Sequence, residues 1–500
     1  MSQLKKGVVL TYLNIFLTNI IGLFLTPFIV KNLGDSEYGL YTLIGSVIAY
    51  LSLMDFGLNN TIIRFVAKYR SAKDLDGEKK FLGSIFIIYF IISIVIMCLG
   101  ILLYFNFDSI FHKSLTSEEI SKAKIMFKFL IFDLAIALPG GAFAAICIAY
   151  EYFVYPKLLS ITKYVFRTIT IFAVLTLGGK AISLVIIDTI LNILTIILIA
   201  YFVLNKLKIK IDFKGINKKL TKHIFGYSFW IFIYAIIQAF QWNFGQMVLG
   251  INANTISVAV FGIGILLGSY YGAFPSAISG VLLPRATQLI VSNNSAKAIT
   301  EAMVKVARLN IMIQYLVLSG FILFGQVFIK LWVGDVYNDS WTVALLVMIA
   351  LTIPLTQSFG NSILEAKNKV KFKALFNLIT MFFGIASGYY FSIDYGIFGI
   401  VYCIVIAMFI NTIITNVYFN IIFDFKIVFF FKEAFFKSTL YIFTFTVISY
   451  SFINQFIIES WLALIGFGSL YVLSYIFFYY FIILNSFEKN IISDFLKHRR

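Results

Sequence analysis

Apolar runs of about twenty residues follow one another along almost the whole chain, each closed by a short polar stretch. A run of that length crosses ~30 Å of hydrocarbon as a helix. Fourteen such spans are predicted: 7–30, 39–63, 81–105, 124–149, 160–178, 181–204, 224–250, 257–283, 306–331, 341–364, 374–392, 396–420, 438–456 and 461–484. The fifth and sixth are parted only by Gly178, Gly179 and Lys180. The short alternating segments of a β-barrel do not occur. The first run is too long for a cleavable signal and lacks a small-residue cleavage site, so it is expected to be retained. No loop exceeds about twenty residues, too short for a soluble domain of its own. No Gly-x-x-x-x-Gly-Lys-Ser/Thr stretch offers a nucleotide cradle.

The pattern repeats. At an offset of about 216–221 residues Gly34 meets Gly250, Arg64 meets Arg285 and Pro139 meets Pro354. Six spans per repeat keep both halves in the same orientation, the relation expected of parallel repeats. The predicted fold is therefore an all-α polytopic membrane protein: two six-helix lobes around a central cavity, plus two extra C-terminal helices. The expected division is 1–222, 223–422 and 423–500. The last part opens with "FDFKIVFFFKEAFFK" (423–437), which reads as an interfacial amphipathic helix ahead of the final two spans.

Composition agrees with the pattern: 61% hydrophobic and only 13% charged residues, with a net charge of +17. With the N-terminus placed in the cytoplasm, seven of the 40 basic residues fall on the outer side: Lys31, Lys113, Lys122, Lys124, Lys128, Lys180 and Lys330. The other 33 fall on the inner side or the termini, so both ends are expected to be cytoplasmic. The charge then meets anionic lipid, not nucleic acid. Three cysteines and three histidines are scattered without metal-ligand or disulfide spacing.

The N-terminal stretch carries a resemblance. A proline near the end of span one is followed by "NLGDSEYGLY" (32–41) and "DFGLNNTIIRFVAKY" (55–69); "ILEAKNKVKF" (363–372) stands after span ten. Together they resemble the polysaccharide-exporter and O-antigen flippase family of the multidrug/oligosaccharidyl-lipid/polysaccharide (MOP) transporter superfamily. The resemblance implies a flippase, not an enzyme, that moves undecaprenyl-diphosphate-linked oligosaccharide from the inner to the outer leaflet of the bacterial inner membrane. It would feed O-antigen or capsule assembly, alone or beside a polymerase and chain-length partners. A multidrug or small-cation exporter of the same superfamily, or an integral glycan polymerase, is the alternative. No cofactor is expected; coupling to H⁺ or Na⁺ is left open.

Against that expectation the polar residues inside the spans become candidates, since they must face protein or water rather than lipid. Read as one helix, span two lays Asp55 and Asn59 a turn apart on one face with Asn60 beside them, a cytoplasmic gate or an anchor to a neighbouring helix. Span seven brings Gln238, Gln241, Trp242 and Asn243, which suit sugar hydroxyls and ring faces or plain helix–helix bonding. Asn14 and Asn19 on span one are expected to face them. Arg64, Lys163, Arg167, Arg285 and Arg308 lie near the cytoplasmic boundary, either to attract a pyrophosphate or to snorkel to the surface. Asp133 and Asp188 enter from the outer side, with Lys128 as the expected partner of Asp133, as a coupling site, a gate or a fixed pair. Pro27, Pro139, Pro275 and Pro354 are hinges or static kinks.

Overall fold

The structure, a computed structural model, describes residues 3–213, 218–279, 295–367, 369–485 and 488–489. Every regular element among them is helical. In chain order these are α1 (Gln3–Leu33), α2 (Asp35–Leu51), α3 (Leu58–Ser71), α4 (Leu75–Phe111), α5 (Ser117–Ala149), α6 (Val154–Thr176), α7 (Ala181–Tyr201), α8 (Lys218–Asn252) and α9 (Thr255–Ser279). Then come α10 (Ala296–Val333), α11 (Asp339–Thr356), α12 (Ser358–Ala366), α13 (Val370–Phe423), α14 (Ile427–Phe430), α15 (Lys437–Ile453) and α16 (Trp461–Phe478). Twelve helical segments among the described residues are long and apolar enough to cross a membrane. One of them, α13, holds two predicted spans, 374–392 and 396–420, and α8 covers the span 224–250. The chain is a multi-pass membrane protein.

Local chemistry sets the ends. Asp74 caps α4 by accepting from the Gly77 amide at 2.8 Å. Thr116 and Glu119 form a reciprocal capping box at the start of α5. Two predicted spans differ in form. Span 39–63 is not one helix: α2 ends at Leu51, a 3₁₀ turn covers Ser52–Asp55, and Phe56 and Gly57 both take left-handed conformations before α3 begins. Gly57 carries no Cβ to oppose this; Phe56 does, at a cost of roughly 1–2 kcal/mol. Span 341–364 is likewise divided, at Gln357, into α11 and α12. The four prolines expected as hinges or kinks lie inside helices: Pro27 in α1, Pro139 in α5, Pro275 in α9 and Pro354 in α11.

The chain forms two compact units: residues 1–262 with 377–404, and residues 263–376 with 405–500. The expected boundaries at 222 and 422 are therefore not where packing divides the chain: 223–262 packs with the first unit. In the first unit α5 packs on α3, α4 and α7, and α1 packs chiefly on α6. In this unit α13 doubles back at Gly396 (φ 53°, ψ −127°), which brings Phe391 beside Gly399 and Ile400 beside Gly388.

The second unit is built around α10. Ile299, Met303, Ala307 and Ile311 pack with Phe359, Ile363, Phe419 and Phe425, and with Tyr471, Tyr475 and Tyr479 from the last helical segment. The stretch 423–437, expected to be an interfacial amphipathic helix, has one buried and one exposed face. It starts the helical run Ile427–Ile453, and Phe430 and Ala434 are fully buried in that core while Val428 is 81% exposed. Phe425, Phe430 and Phe435, five residues apart, are buried, whereas Phe436 is exposed. The repeat match of Gly34 with Gly250 also fails locally: Gly34 separates α1 from α2, whereas Gly250 lies inside α8.

Candidate functional site

The densest charge inside the first unit lies where α6 and α7 run antiparallel. Their turn is set by Gly178 and Gly179. Lys163 and Arg167 stand one turn apart on α6, and Asp188 and Asn192 one turn apart on α7, so the hairpin matches them in two rungs. Arg167 grips Asp188 with both prongs, Nε to Oδ1 at 2.5 Å and a terminal nitrogen to Oδ2 at 2.9 Å. Lys163 donates to the Asn192 side-chain oxygen at 3.0 Å. Each rung then gains a third helix. The Asn192 amide donates to Asp133 on α5 at 2.8 Å. Tyr41 on α2 accepts from Arg167 at 3.3 Å and donates to Asp188 at 3.4 Å. Tyr164 donates to the Thr18 carbonyl of α1 at 3.1 Å, placing the Asn14–Asn19 stretch beside α6.

Two cations and two carboxylates thus share one apolar neighbourhood, with no net charge between them. The site is not sealed: the Arg167 and Asp188 side chains keep 20% and 25% of their exposure. This geometry corrects one expectation and places another residue. Arg167 stands thirteen residues into α6, about 20 Å along the helix from Val154. Lys128 does not partner Asp133. Five residues apart puts them about 140° apart around α5, and Lys128 sits 4.7 Å over the Tyr104 ring instead.

A second polar knot spans the break between α2 and α3. Tyr89 of α4 donates to Asp55 at 2.8 Å and to Asn59 at 3.2 Å, and Asn59 donates to Asp55 at 3.3 Å. Asp55 and Asn59 do meet, but across a broken helix rather than along a continuous stripe. Asn60 and Arg64 are exposed on α3. Gln241, Trp242 and Asn243 are half-buried on α8, which packs mainly on α2. α1 is set chiefly against α6, with Asn14 and Asn19 on it. The Gln238 side chain and Arg285 lie outside the described residues.

Arg308 binds Glu488 at 2.5 and 2.9 Å and the carbonyls of Glu433 and Ile483 at 3.2 and 3.0 Å, tying α10 to the C-terminal segment of the second unit. The sequence reading missed Tyr41, Tyr89 and Asn192. Asn192 had a signal, since it stands four residues after Asp188 in an otherwise apolar helix; the two tyrosines had none.

The profile of the polysaccharide biosynthesis protein family matches residues 4–290, more than half of the chain and all of the α6–α7 site. The chain belongs to that family. A putative O-antigen transporter of Shigella flexneri is 21% identical over 388 residues, covering 74% of this chain and 87% of that protein. Two solved structures share the fold. The lipid II flippase MurJ in an inward closed conformation superposes with a TM-score of 0.71 at 20% identity, covering 95% of this chain and 100% of that one. An inward-facing multidrug-resistance MATE transporter of the MOP superfamily gives 0.70 at 14% identity, covering 80% and 94%. The chain therefore belongs to the polysaccharide biosynthesis protein family and shares its fold with both of these transporters.

Proposed function

We propose that the chain flips undecaprenyl-diphosphate-linked oligosaccharide repeat units, of O-antigen or capsule type, from the inner to the outer leaflet by alternating access. It would reside in the bacterial inner membrane with both termini cytoplasmic. The observation that carries this reading is the paired cations Lys163 and Arg167 at membrane depth, each held by a partner on α7. Ionised groups at the bilayer centre are costly and persist where they serve a pathway. A diphosphate brings the charge and the oxygen geometry that an arginine fork accepts. Asp188 then acts as the resident counter-ion, which the diphosphate displaces from Arg167. The freed carboxylate is where a proton or Na⁺ would enter the cycle.

The glycan would lie against the amide-bearing surfaces of α1 and α8. The lipid tail needs an apolar path, and the second unit holds a cavity of about 520 Å³ lined by Tyr315, Ile349, Phe409, Ile442, Phe443 and Val447. The competing reading is a drug or cation exporter. It is favoured by the MATE-like fold and by the two carboxylates, which would hold a cationic cargo.

The test is the sidedness of lipid-linked glycan in a deletion strain, with the gene restored as wild type, R167Q or D188N. The flippase reading expects inner-leaflet glycan to accumulate on deletion and wild type to clear it. R167Q should clear it at least tenfold more slowly, the scale of losing one charge-assisted pair. Unchanged sidedness with altered drug efflux would establish the exporter instead.

A further inference from the structure

Four helices of the first unit begin at one end: α2, α5, α7 and α9, the end that the lysine and arginine split puts outside. Glu119 lies among three of these starts. Its Oε1 accepts from Ser36 of α2 at 2.5 Å and from Thr255, the first residue of α9, at 2.9 Å. Its Oε2 accepts from the Thr116 amide at 2.8 Å and hydroxyl at 3.0 Å. Thr255 also donates to Ser36 at 3.2 Å. The neighbouring Glu37 of α2 accepts from the Ala181 amide, the start of α7, at 3.0 Å.

The backbones close in beneath these bonds. A Cβ on Gly39 would stand 1.8 Å from the Thr255 carbonyl oxygen, and Ser114 donates to the Gly250 carbonyl. The turn joining α8 to α9 is therefore clamped onto α2 and α5 by one carboxylate, hydroxyls and a glycine contact. The contrast with the helix interiors is chemical. Leucine and phenylalanine contacts there are non-directional and exchange for lipid, whereas each bond that Glu119 makes is directional and exchanges for water at a membrane surface.

We propose that Glu119, Ser36 and Thr255 form the releasable latch of the outer end, closed in this conformation and parted when the carrier opens outward. The proposal rests on the alternating-access reading for its role in transport, but not for its existence. A parted latch costs little because each hydroxyl and the carboxylate become hydrated. A closed one holds α9 in register with α2 through contacts 136 and 219 residues apart in sequence.

Two measurements on the full-length chain test it. In the first, Ser36→Cys and Thr255→Cys are introduced together after Cys98, Cys147 and Cys403 are replaced and activity of that background is verified. Oxidation should stop glycan export, reductant should restore it, and each single-cysteine chain should export under both conditions. A chain proven cross-linked by mass that still exports at the background rate overturns the latch. In the second, hydrogen exchange is followed in nanodiscs for wild type, E119Q and T255V. Amides of the 253–260 segment should exchange about tenfold faster in both variants, the change expected from losing one charge-assisted bond. Unchanged exchange overturns the latch whatever the transport result. If wild type moves no glycan, the flippase reading fails while the exchange result still decides the latch.

Discussion

Arg167 is held from two sides, by a carboxylate that fixes its charge and a phenol that fixes its plane. Removing it strands Asp188 in apolar surroundings. R167Q should therefore cost stability as well as transport, about 1–3 kcal/mol given that the pair is partly exposed. The melting temperature in detergent measures this, and D188N in the same chain should recover part of the loss, because it removes the stranded charge. A chain in which R167Q melts like wild type would mean that the pair contributes nothing to the fold. Each of these charges was visible in the sequence, as were the i, i+4 spacings. Their pairing was not, because depth was counted from a helix start placed at 160 rather than Val154. Matching α6 to α7 across the two glycines would have aligned 163 with 192 and 167 with 188. Tyr41 could not be found that way, since nothing in its neighbourhood distinguishes it from the chain's other 28 tyrosines.

Among the elements, the break between α2 and α3 matters most. An apolar run with four polar residues reads as a continuous helix, because hydropathy reports burial and not φ. The only local hint was Gly57, and a single glycine in a helical pattern is tolerated too often to break it on paper. Tyr89 bridges the break from α4. Y89F should remove both of its bonds and cost ~1–2 kcal/mol. G57A should cost a similar amount by placing a Cβ at φ 70°. Both are read as thermal shifts in detergent; a G57A chain as stable as wild type would argue that the break is not held. The segment 423–437 gives a sharper contrast. F430A empties a fully buried site and should cost ~3–5 kcal/mol. V428A, at an exposed position, should stay within about 0.5 kcal/mol. Equal effects would argue against the buried face.

For the whole molecule, length, apolar periodicity and charge sidedness made the class legible before any contact was known. Runs of this length predict membrane-crossing helices, and among the described residues twelve helical segments are long and apolar enough to cross. Packing was less legible: the sequence offered a boundary at 222, yet 223–262 joins the first unit, since a repeat in sequence does not dictate which surfaces are buried together. Orientation has a direct check. In a chain without its native cysteines, Lys113→Cys should react with an impermeant maleimide on intact spheroplasts, and Lys206→Cys only after lysis. The reverse pattern would invert the topology and place the Glu119 latch on the inner side.

The reversal of α13 at Gly396 bears on how the protein is made. Two membrane-crossing helices joined through a single residue leave the insertion machinery no loop to hold on one side while the second helix follows. The pair should enter the bilayer together, as a hairpin, after ribosomal exit of both halves. Lengthening that joint with a short flexible insert should then be tolerated during synthesis, whereas a charged tag placed there would have to be dragged across with both helices.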